Sequence, residues 1–225
     1  SRQPELSLQL HMQNKLPGEV ISHNVIGEIT GSKYPDEIVL LGAHLDSWDE
    51  GTGALDDGAG VGIVMATAAL LKQQARPERT IRVVLYGNEE GGLVGARAYA
   101  AKHAATLDKH VFASESDFGA GRIWRLDTGF GPNSQHFADS LLQQLAPLGV
   151  EAGKTTASGG PDVSVIKALG VPVVSLQQDG SDYFDYHHTP NDTMDKIDPK
   201  AMQQNLKVWL VTAASIANSR VDLRQ

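Results

Sequence analysis

Residues 38–41, Ile-Val-Leu-Leu, form an unbroken aliphatic run with no polar residue for either face of a strand. An alternating strand can leave one face in water. A strand apolar on both faces must be covered on both, which is the condition of a central parallel strand between helix layers. Residues 80–86 (TIRVVLY) and 171–176 (VPVVSL) repeat the signature with interruptions, and residues 111–114 and 122–126 supply two shorter candidates. Between these runs the apolar period changes. Val61, Val64, Met65, Ala68 and Leu71 recur at helical spacing and stop before Pro77; residues 93–103 are alanine-rich; helices are expected at 133–146 and 161–169. A last helix is expected to start at Pro199, just after Asp198, with Met202, Leu206, Trp209, Leu210, Ala213 and Ile216 on its apolar face. Strands alternating with helices predict an α/β fold, a three-layer α/β/α sandwich with a mainly parallel central sheet.

The first residues read differently. Leu6, Leu8, Leu10 and Met12 alternate with polar neighbours, predicting a half-buried strand. The turn signal Pro17-Gly18 follows, and residues 23–30 read as an antiparallel partner, placing both strands at the sheet edge. No repeat, low-complexity tract or linker interrupts the 225 residues, so 1–225 is read as a single domain.

Composition removes several function classes. The chain has no cysteine, which excludes disulfide scaffolds, thiolate zinc sites and cysteine nucleophiles. The formal net charge is −8 without a basic stripe, which argues against nucleic acid or an anionic membrane surface as partner. No apolar run is read as a membrane span, and no signal peptide is visible.

In open α/β sheets, ligands bind beyond the carboxyl ends of the strands. Three expected strand ends carry metal-competent groups: His44 and Asp46; Glu89 and Glu90; Asp117. Like charges crowded together repel and raise one another's pKa, a penalty that bound cations would remove. In an extended segment His44 and Asp46 point the same way, so the Asp46 carboxylate is expected to accept from the imidazole and fix its tautomer; a capped turn with a surface histidine is the alternative. Asp56-Asp57-Gly58 opens a helix. Asp57 reads as its cap, and Asp56 as a carboxylate bridging two metals in a glycine-rich stretch. Glu89-Glu90 can divide labour, one binding metal and the other taking a proton from water, although a helix N-terminus also favours acids. His187-His188 lies in a turn-like segment, whereas His11, His23, His103, His110 and His136 are assigned to surface or local packing.

GAHLDSW (42–48), GALDDGAG (53–60), YGNEEGGLVGARAYA (86–100), ESD (115–117) and HHTPNDT (187–193) resemble the co-catalytic di-zinc aminopeptidase family, most of all its plasma glutamate carboxypeptidase-like branch. The resemblance runs from about residue 23 to the C-terminus. It implies a zinc-exopeptidase-like fold and two Zn²⁺ per chain: His44 and Asp117 on one, Glu90 and His188 on the other, Asp56 bridging. It further implies that Glu89 activates a zinc-bridging water, that Asp46 orients His44, and that the Asp56-Asp57 peptide is cis. Where several relatives have a tyrosine before the last histidine ligand, this chain has His187, which is expected to donate to the oxyanion. The loop 158–162 is expected either to flank the pocket or simply to turn into the next helix.

The implied substrate is a peptide or dipeptide, hydrolysed by an aminopeptidase or dipeptidase, with a secreted or periplasmic location. Many close relatives carry an upstream helical portion and an inserted protease-associated domain, so this chain is expected to be a catalytic core. Three alternatives stand beside that reading: a single-zinc glutaminyl cyclase, a glutamate-type carboxypeptidase that would need arginines at its pocket (Arg97, Arg122 and Arg125 are the candidates near motifs), and a non-catalytic domain like the transferrin-receptor ectodomain.

Overall fold

The computed structural model describes residues 7–15, 18–74 and 76–225. The aliphatic run at 38–41 sits in β2 (Tyr34–His44), which is hydrogen-bonded on both edges. Its odd residues Val39, Leu41 and Ala43 belong to one apolar cluster, and Ile38 and Leu40 to another. The period-two side-chain alternation thus feeds both faces, as an unbroken run requires.

Around β2 the seven strands lie in the order β1-β3-β2-β4-β7-β5-β6. The four central strands, β3 (Arg79–Tyr86), β2, β4 (His110–Glu115) and β7 (Val173–Gln178), are parallel. At one edge β1 (Val25–Ile29) runs antiparallel to β3; at the other, β5 (Ile123–Gly129) runs antiparallel to β7 and carries the two-residue β6 (Glu151–Ala152). On one face pack α1 (Ala59–Gln73), α3 (Gln135–Leu145) and α6 (Pro199–Ala217), through Ile63, Val64, Leu141, Val208 and Trp209. On the other pack α2 (Val94–His103) and α4 (Pro161–Lys167), through Ala96, Tyr99, Val163 and Ile166. Helix α5 (Tyr183–Tyr186) is a single turn near the strand ends. The three-layer α/β/α sandwich is as expected. The last helix starts at Pro199 as expected, and Asp198 caps it, its carboxylate accepting from Lys200 N–H at 2.9 Å.

One expectation needs correction. Residues 7–12 form no strand, and Leu8, Leu10 and Met12 are exposed; Leu6 and Pro17 lie outside the described residues. Alternation supplies an apolar face but no surface to bury it on, and β1, the expected partner, is itself exposed at four of its five positions and takes its ladder from β3 instead. The stretch Ala54–Gln73 is long and apolar enough by composition to cross a bilayer, but 56 % of its most apolar window is buried within the fold, its α1 portion packed on the sheet and α6, as a core helix is.

Register sets the site. His44 pairs with Tyr86 and Gly42 with Glu115, so β2, β3 and β4 end level with one another. The segments 44–46, 87–90 and 115–117 therefore leave the sheet side by side.

Candidate metal centre

Asp56 is the middle of the cluster. It is buried, and its two carboxylate oxygens face different partners. Oδ1 lies 2.9 Å from His44 Nε2, which is 3.4 Å from Asp117 Oδ1. Oδ2 lies 3.2 Å from His188 Nε2, which is 3.0 Å from Glu90 Oε2. Ligand atoms about 2.1 Å from a tetrahedral zinc are themselves separated by roughly 3.4 Å. The spacings of the two groups run from 2.9 to 3.4 Å, at or a little below that value. The five residues expected to hold metal are thus brought together around Asp56, with His187 and Asp57 also close enough to join a ligand set, and the Asp56-Asp57 peptide is cis.

The donor chemistry fits divalent cations. His44 Nδ1 donates to the backbone oxygen of Asp46 at 2.9 Å, which leaves Nε2 with its lone pair toward the acids. Burial works against an imidazolium here but is outweighed by hydrogen bonds to Asp117 and Asp56 and by the charge of Asp57, pushing His44 up to about 12. Glu90 Oε1 is buried without any hydrogen-bond partner, an acceptor that a cation could use. Burial also raises Glu90, against a hydrogen bond from Trp48, whose indole N–H reaches Oε2 at 2.8 Å.

Glu89 stands beside these ligands in a cleft of about 240 Å³. Burial, then the charge of Asp117, moves its carboxyl up to about 7, close to the pH at which a general base works best. Behind the cleft, Asp162 is held up to about 7 by burial and by the charge of Glu89, and both of its carboxylate oxygens are buried without a hydrogen-bond partner. The loop 158–162 flanks the cleft through Pro161, which also starts α4, but it supplies no side-chain cap, because Gly160 stands at the cap position.

The role expected of Asp46 is corrected. Its carboxylate is 3.8 Å from His44 Nδ1, too far for a hydrogen bond, and the backbone oxygen does the orienting. β2 ends at His44, so the extended geometry that would align the two side chains is lost. The carboxylate accepts instead from the N–H groups of Glu89 at 2.9 Å and Glu90 at 3.2 Å, fixing the turn that carries both glutamates. Asp57 does more than cap: one oxygen accepts from Gly60 N–H, the other from His44 N–H at 3.0 Å. His187 joins the cluster, its Nε2 3.3 Å from Asp56 Oδ2 and its ring stacked on His188 at 3.5 Å.

Residue-type reasoning missed Trp48, Tyr183 and Asp192. Trp48 and Asp192 fall inside recognised motifs, and that membership was the available signal. Tyr183, the buried first residue of α5, lines the cleft with its ring 4.8 Å from that of His187.

Known proteins share this chain's sequence pattern and fold. The model of peptidase family M28 matches residues 24–213. Carboxypeptidase Q of Rattus norvegicus is 38 % identical over 219 residues, covering 97 % of this chain and 46 % of the relative. Aminopeptidase YwaD of Bacillus subtilis is 28 % identical over 206 residues, 86 % of this chain and 44 % of the relative. The crystal structure of a peptidase M28 precursor from Shewanella amazonensis is similar at a TM-score of 0.87 and 59 % identity, covering 90 % of this chain and 46 % of that one. A zinc aminopeptidase structure from Bacillus subtilis shares the fold at a TM-score of 0.68 and 21 % identity, covering 89 % and 53 %. The chain spans about half the length of the curated relatives it matches. On the family match and the carboxypeptidase Q identity, this chain belongs to peptidase family M28.

Proposed function

We propose that this chain is the catalytic core of a di-zinc exopeptidase, one that removes an N-terminal residue or splits dipeptides. The observation that carries the reading is Asp56, whose two oxygens are shared between His44 with Asp117 and His188 with Glu90. Those five residues would hold two zinc ions. When bound, the metal would lower the pKa of water from about 15.7 toward 7 and polarise the scissile carbonyl.

The chain's own groups do the rest. Glu89 takes a proton from the attacking water as its oxygen bonds to the carbonyl carbon. It then delivers that proton to the amine nitrogen as the C–N bond breaks. His187, beside Asp56, is placed to donate to the carbonyl oxygen as negative charge builds there. Phe118, Tyr183, Phe184 and Pro161 form the cleft's apolar wall, which favours a substrate with an apolar side chain next to the scissile bond.

The name of the carboxypeptidase Q relatives favours a second reading, recognition of a free C-terminal carboxylate. That needs a cation, and among the described residues no Arg or Lys lines the metal cleft. Arg122 and Lys196 line a neighbouring groove behind Phe118 and Tyr183; Arg125 is tied to Asp127 at 2.9 Å. The N-terminal reading is therefore preferred. Free, N-blocked and C-amidated dipeptides, assayed with and without chelator, test it: hydrolysis of free and amidated but not N-blocked substrates is expected, abolished by chelation. Loss on amidation would transfer the chain to the second reading. Glu89→Gln should keep its zinc and lower kcat by roughly 10²–10⁴-fold. Wild-type turnover in that variant, with contaminating peptidase excluded, would overturn the mechanism.

A further inference from the structure

Asp192 is 4 % exposed, four residues after His188, and has no part in the ligand set. Its Oδ1 accepts from Leu55 N–H at 2.6 Å and its Oδ2 from Asp56 N–H at 3.1 Å. Its backbone oxygen accepts from the N–H and the hydroxyl of Thr52, at 2.9 and 3.0 Å. The two loops approach backbone to backbone here: a Cβ on Gly51 would lie 2.7 Å from Thr189 O and 3.0 Å from Asp192 O. One residue therefore ties the loop that carries Asp56 to the loop that carries His188.

The chemistry at this position is specific. Two consecutive N–H groups point into buried space, and a carboxylate offers an oxygen to each. Asparagine has the same shape but one acceptor, so its NH₂ would face an N–H. Asp46 meets the N–H groups of Glu89 and Glu90 in the same way, so each side of the metal cluster has its ligand loop held by a carboxylate acting on backbone rather than on metal.

We infer that Asp192 is a positioning residue for the dinuclear centre: by holding the backbone of Asp56 against the His188 loop, it fixes how the bridging carboxylate divides its two oxygens between the metal positions. The inference rests on the di-zinc reading above. Loss of such a supporting contact typically weakens metal binding about 10–100-fold. Asp192→Asn should do so, as read by competition with a chromophoric zinc chelator. At saturating zinc, kcat should fall while KM stays within about two-fold, because the apolar wall that grips the side chain is untouched.

A purely structural role predicts something else: a lower melting temperature of the metal-free protein with zinc affinity unchanged, and that result would overturn the inference. Should Asp192→Asn fail to fold, Thr52→Val, which removes only the hydroxyl contact to Asp192 O, carries the same test at lower amplitude. About three-fold weaker zinc binding is expected there, scaled down from the loss above, and unchanged affinity counts against the inference. Wild-type protein that binds no zinc would instead sink the di-zinc reading itself, so the two failures are distinguishable.

Discussion

His187 and Asp46 were both read from motif position, and the structure treats them differently. Asp46 serves through its backbone oxygen and through two amides that residue types do not announce. His187 is where the motif suggests, with its ring against His188 and Nε2 near Asp56. If it donates to the developing oxyanion, His187→Ala should lower kcat by about 10²–10³-fold, the usual cost of one such donor, with zinc content unchanged. Unchanged kcat would pass the role to Tyr183, whose ring packs 4.8 Å from that of His187 in the same cleft. The division in what was legible follows from chemistry. Metal ligands and proton carriers must be imidazoles or carboxylates, so His44, Asp56, Glu89, Glu90, Asp117 and His188 stand out in the sequence. A side chain that works by accepting backbone N–H groups, as Asp192 does, looks like any polar turn residue.

Among the elements, the strands with continuous aliphatic runs and the long helices were readable because burial on both faces, or on one stripe, writes a period into the chain. Residues 7–12 failed that test from the other side: alternation without a covering surface leaves Leu8, Leu10 and Met12 in water. What no period reveals is how closely elements approach. At the start of α1 a Cβ on Gly60 would lie 2.1 Å from Ser116 O and 2.2 Å from Asp57 Oδ1. The helix is thus seated directly on the segment that leads from β4 to Asp117, and only a residue without a side chain permits it. Gly60→Ala should destabilise the protein by about 1–3 kcal/mol or more, as overpacking does. It should also weaken zinc binding, because Asp57 and the Asp117 segment must move apart. An unchanged urea midpoint with unchanged zinc affinity would show that the helix can shift without disturbing the site.

Across the whole molecule, a second polar network crosses the fold without joining the metal centre. Glu28 of β1 pairs with Arg82 of β3 at 2.6 Å; Arg82 donates to the Tyr99 hydroxyl of α2 at 2.7 Å; and Tyr99 in turn donates to His110 Nε2 of β4 at 2.7 Å. His110 Nδ1 donates to Thr106 O at 3.1 Å, and Arg224 reaches the His110 backbone oxygen at 2.5 Å, so the chain is stitched from residue 28 to residue 224. The network requires a neutral imidazole, donor on one side and acceptor on the other. Burial lowers the His110 pKa to about 4; the Thr106 contact opposes this, while the charges of Arg82, His103 and Arg224 add to it. The folded pKa therefore lies below the unfolded value of about 6.5, and the unfolded chain binds the proton first as pH falls. This contribution to stability is complete above pH 6.5 and is lost progressively toward pH 4. By linkage the loss is on the order of 3 kcal/mol. Urea unfolding from pH 7.5 down to 4, compared between the wild type and His110→Gln, isolates it: the wild type's advantage should shrink across that window and stay level above it. A difference that did not change with pH would mean that His110 titrates alike in both states, and that the network tolerates its charge.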